Sequence, residues 1–117
     1  MSLAEKIVAK TLLKVASKMP AMKAQFVAEN PGIAREVDDQ IANGPIASLN
    51  DQERRELTLS AFGENLDDFY LRQLFDEPHR RKPLNPAQLR ISQQITDEQC
   101  QAMLFLRIGE LKLNQAD

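Results

Sequence analysis

Apolar side chains recur along this chain at spacings of three and four, the period of a helix with one buried face. The first such stretch opens at Ser2, where Glu5 three residues later completes a capping box, and it reaches about Lys18. Ala4, Val8, Leu12, Val15 and Met19 fall on one side of it. Lys6, Lys10, Lys14 and Lys18 recur at every fourth position on the other side, within about a third of the circumference. Pro20 interrupts the pattern. Residues 21–28 read as a short second helix or a bent continuation carrying Met22 and Phe26.

The same punctuation continues. Asn30-Pro31 reads as a cap with proline at the first helical position, followed by Ile33, Val37 and Ile41. Gly44 is expected to close that helix in the left-handed conformation. Asn50 with Glu53 opens a helix that carries Leu57 and Phe62 and stops at Gly63. Asn65 with Asp68 starts another, with Leu66, Phe69, Tyr70 and Leu74 as a broad apolar face. Three prolines and His79-Arg80-Arg81-Lys82 between Asp76 and Pro86 predict an exposed loop. Asn85-Pro86 then opens a short helix bearing Leu89, and Thr96 with Gln99 caps the last one. No window alternates long enough for a strand. The expectation is an all-α fold, a compact bundle of six or seven short helices in a single domain over residues 1–117.

The last helix is apolar nearly all round. Cys100, Met103, Leu104, Ile108 and Leu111 form one stripe, while Ala102, Phe105, Leu106 and Leu113 cover much of the opposite side. Such a helix must be covered all round. Either it is the central helix of the bundle, or Phe105 and Leu106 form a partner or homodimer interface.

Charge changes the picture because it is segregated. The net charge is −2, yet residues 1–24 hold five lysines against Glu5 alone, and residues 29–77 hold twelve acids against four arginines. A one-sided cationic face either stays in water or meets something negative. Folding or a head-to-tail assembly could also satisfy these charges internally.

Candidate chemistry is sparse. His79 and Cys100 are the only His or Cys residues, where a zinc site wants about four ligands. Cys100 on an apolar face reads as an inert core thiol. The four glycines are scattered and form no phosphate cradle. Asp67-Asp68 and Asp97-Glu98 sit in first turns, where carboxylates offset the helix dipole. No metal, cofactor or catalytic residue is expected. The longest apolar run, Ala102 to Leu106, is far short of a membrane span, and lysines break any leader-like segment. Attachment to a membrane surface is disfavoured because the apolar side of the first helix lacks large anchoring residues. Low aromatic content argues against base stacking.

These readings lead to a non-enzymatic, cytoplasmic regulatory or adaptor protein of bacterial or phage type that binds a macromolecule. A protein partner is the first expectation and nucleic acid the alternative. The expected contact residues are Lys6, Lys10, Lys14, Lys18, Arg80, Arg81, Lys82, Phe105 and Leu106.

Overall fold

The helix that opens at Ser2 does not stop at Pro20. In the computed structural model, which describes residues 2–62 and 67–115, helix α1 runs unbroken over Leu3–Glu29. The Ser2 hydroxyl starts it by accepting the Glu5 backbone N–H at 3.1 Å. An internal proline removes one backbone bond and costs about 3 kcal/mol. Tertiary packing on both sides of Pro20 outweighs that cost. Ala9, Ala16 and Met19 are buried before it, and Phe26 packs against the core after it.

Helix α2 spans Pro31–Asn43, α3 Asp51–Phe62, α4 Asp68–Asp76, α5 Pro86–Gln94 and α6 Asp97–Gln115, with 3-10 turns at Pro45–Ser48 and Pro78–Arg80. The protein is thus an all-α compact bundle of six helices among the described residues, and α1 is long where short helices were expected. At 1.5 Å per residue α1 is about 40 Å long, close to the 42 Å long axis of the molecule. Gly63, Asn65 and Leu66 lie outside the described residues.

The caps explain most boundaries. Asn50 and Glu53 bond each other's backbone N–H reciprocally, as do Asn85 with Gln88 and Thr96 with Gln99. Asp67 caps α4 by accepting the Tyr70 N–H at 2.8 Å. Two expected signals work differently. The Asn30 side chain turns back to donate to the Phe26 carbonyl, so it closes α1 and does not cap α2. Gly44 has φ −90°, not a left-handed value. Its glycine is required because a Cβ would lie 2.5 Å from the Gln40 carbonyl oxygen.

Helix α6 is the central element, with α1 on one side and α2 and α3 on others. Its Leu104, Phe105, Ile108 and Leu111 join Val37, Ile46, Leu57, Leu71 and Phe75 in one cluster. Its Cys100, Ala102 and Met103 join Ala9, Ala16, Met19, Ile91 and Ile95 in the other. Both apolar sides are therefore covered within one chain, and the central-helix reading holds. On α4 the buried face is Leu71, Leu74 and Phe75, whereas Phe69 and Tyr70 point outward. The expected apolar face of α4 was rotated from the real one.

Candidate partner-binding surface

The buried side of α1 consists of Ala9, Leu12, Leu13, Ala16 and Met19, with Lys23 and Phe26 continuing it. That side is about a fifth of a turn away from the expected stripe of Ala4, Val8, Leu12, Val15 and Met19, with Leu12 and Met19 common to both. Alanine decides the phase, because small side chains let α6 approach closely. Val8 is consequently 62% exposed and Val15 lies on the rim.

Lys6, Lys10, Lys14 and Lys18 all stand exposed, opposite the packed side. Among the described residues none of the four makes an ion pair. Glu5, the one acid nearby in sequence, lies on the far side, where it lines an open groove with Ala4, Val8, Pro86 and Ile91 of about 620 Å³. Leu3 and Ile7 project from the middle of the lysine arc, 75% and 56% exposed. Every residue from Ser2 to Val8 is exposed, so the first two turns overhang the bundle. Reading the apolar stripe through Val8 and Val15 hid these two residues. Their recurrence with the lysines, as Leu3-Ile7-Lys10-Lys14, is the signal that could have found them.

The basic turn divides. Arg80 is exposed and pairs only with neighbouring Glu77, and Lys82 is exposed as well. Arg81 is not free to meet a partner. Its guanidinium lies 3.5 Å from Glu56 and 3.7 Å from Glu53, and it donates to the Pro78 carbonyl at 3.0 Å. Pro78 is itself fully buried. The expected exposed loop is therefore pinned to α3 at two points, with Leu84 also packed inward. Arg80 and Lys82 sit on a turn beside α4, a different element from the lysine arc.

Phe105 is buried and Leu106 half-buried. The Phe105 ring is 1% exposed, meets the Phe26 ring edge-on with centroids 5.9 Å apart, and lies 4.8 Å from Lys23 Nζ. Leu106 packs against the α1–α5 cluster. Both pack within the chain, so the apolar circumference of α6 no longer calls for a dimer to cover it.

Cys100 is buried, and its thiol donates to the Thr58 hydroxyl at 3.5 Å. Burial pushes the thiol up, against smaller opposing effects of the Thr58 bond and the Arg55 charge. A neutral, covered thiol is a poor nucleophile. Among the described residues no group of three His, Cys, Asp or Glu side chains could hold a metal ion, and no helix is long and apolar enough to cross a membrane.

Comparison with protein-family models, with curated proteins and with solved structures finds no match to this chain.

Proposed function

We propose that this is a non-enzymatic regulatory or adaptor protein, cytoplasmic and of bacterial or phage type, that works by docking on a negatively charged partner surface. The outer face of α1 is its contact element. One observation carries this reading. The arginines Arg55, Arg81 and Arg107 are engaged with acids of the same fold, while Lys6, Lys10, Lys14 and Lys18 on the outer face of α1 are exposed and unpaired among the described residues. Other cations among the described residues are unpaired too, but these four are gathered on one exposed side of a single helix, with no acid among them. Self-association through α6 forms no part of the proposal.

The test is affinity capture from native extract, with and without nuclease, comparing wild type with Lys10→Glu/Lys14→Glu. The variant should lose the partner and show a shallower salt dependence. Its melting temperature should barely move, since exposed charges contribute little to stability. Wild-type capture by the variant would return the lysines to a merely solvated face. Loss of the partner on nuclease treatment would select the second reading, a nucleic-acid-binding regulator that uses the same lysines on phosphates.

A further inference from the structure

The lysine arc is not purely cationic. Leu3 and Ile7 stand near its centre, and a plane laid along that side of α1 meets Leu3, Ile7, Lys10 and Lys14 in turn, with Lys6 and Lys18 at the margins. The apolar pair occupies the end that overhangs the bundle, where Ser2 to Val8 are all exposed. The one nearby acid, Glu5, is turned to the groove on the opposite side.

We infer that this face of α1 binds the surface of an anionic lipid bilayer, with Leu3 and Ile7 entering the acyl boundary and the lysines resting among the headgroups. The inference rests on the reading of α1 as the contact element and names what it meets. Each alternative occupant fits the face less well. Nucleic-acid phosphates need cations but make no use of two aliphatic side chains in the middle of the arc. An aromatic ring would be expected there if bases stacked. A second copy laid face to face would oppose four lysines with four lysines. A protein partner would have to offer apolar cover for Leu3 and Ile7 and acids for the lysines in one fixed register. A fluid surface adapts to the helix. Lysine stems also lie along apolar material while the ammonium stays in water, which suits the boundary between acyl chains and headgroups. A helix of this kind lies in the interfacial plane when apolar burial and attraction to anionic lipid act together.

The side of α1 that lacks large anchoring residues is that of Ala4, Val8, Leu12, Val15 and Met19. Leu12 and Met19 are packed within the bundle. Ala4, Val8 and Val15 stay outside but away from the lysines, Ala4 and Val8 lining the groove beside α5, whereas Leu3 and Ile7 are the large exposed apolar side chains that stand among the lysines.

Vesicle co-sedimentation tests the proposal. Wild type should sediment with phosphatidylcholine vesicles containing roughly a third phosphatidylglycerol, and not with phosphatidylcholine alone, with binding that falls as salt is raised. Lys10→Glu/Lys14→Glu should weaken binding by about thirtyfold or more, given the contribution of each surface lysine. Leu3→Ser/Ile7→Ser should weaken it by about tenfold, since both side chains are partly withdrawn from water on insertion. The chain contains no tryptophan, so Ile7→Trp provides a single reporter whose emission should shift to the blue on binding. Failure of wild type to sediment with the anionic vesicles overturns the proposal. So does binding without a blue shift that Leu3→Ser/Ile7→Ser leaves unchanged, which is adsorption by charge alone. A duplex DNA fragment assayed in parallel separates the two levels. If DNA is bound, through Lys10 and Lys14, and vesicles are not, lipid is the wrong occupant and the contact element stands.

Discussion

The Phe26 ring lies across Gly109, so close that a Cβ on the glycine would come within 2.7 Å of the ring edge. The missing side chain on α6 is what lets the end of α1 seat its phenyl group against Phe105. Gly109→Ala should therefore destabilise the fold by about 1 kcal/mol. Overpacking costs about 1–3 kcal/mol, and the better helix propensity of alanine returns about 1. In a Phe26→Leu background the clash is relieved, and the same substitution should become neutral or stabilising. Denaturant midpoints of the four proteins measure the coupling, and additive effects would show that the ring does not need the glycine.

Arg55 ties three helices together. It donates to the Ser92 and Ile95 carbonyls, each at 2.6 Å, and pairs with Asp97 at the start of α6. Arg55→Met should cost about 2–4 kcal/mol, because two carbonyls at the end of α5 lose a charged donor. Asp97→Asn should cost under about 1 kcal/mol, since that carboxylate is largely in water. Urea unfolding of both variants checks the ranking. Equal losses would place the value of Arg55 in the ion pair and not in the carbonyl bonds.

Neighbouring arginines should behave oppositely. Arg81→Ala leaves Glu53 and Glu56 without their shared cation and frees the buried Pro78 turn, for a loss of about 1.5–3 kcal/mol. Arg80→Ala should change stability by less than about 0.5 kcal/mol, because that side chain is solvated. Thermal melts of the two proteins distinguish them, and a tolerant Arg81 would mean that Pro78 alone holds the turn.

Stability should also respond to the thiol at alkaline pH. Folding raises the Cys100 thiol above its ordinary value, so the fold favours the neutral form. That contribution is fully present below the ordinary thiol range near about 8.5, and it is lost as pH rises through that range towards the raised native value. The stability of wild type relative to Cys100→Ala should therefore narrow as pH climbs. A gap that stays constant through the thiol range would show that the folded thiol titrates normally.

Much of this architecture is legible as punctuation. Asn50 with Glu53, Asn85 with Pro86 and Thr96 with Gln99 mark three helix starts, because a cap needs only residues close in sequence. Pro20 misleads because its local cost is plain while the packing that overcomes it comes from α6, far along the chain. The phase of α1 misleads for a related reason. Valine reads as more apolar than alanine, yet Ala9 and Ala16 are what a closely packed neighbour requires. The exposed lysines are legible from their spacing alone. The exposure of Leu3 and Ile7 and the engagement of Arg81 are not, because they depend on which helix lies alongside.

The place of α6 in the chain has a consequence during synthesis. The side of α1 that carries Ala9, Ala16 and Met19 finds its cover in a helix that begins only at Asp97. At about 5–20 residues per second a ribosome needs several seconds to make the intervening chain. Through that interval the nascent α1 has its lysines in water and its apolar side bare. The bundle can close only once this middle helix, made after the other five, slides in between helices that have been waiting for it.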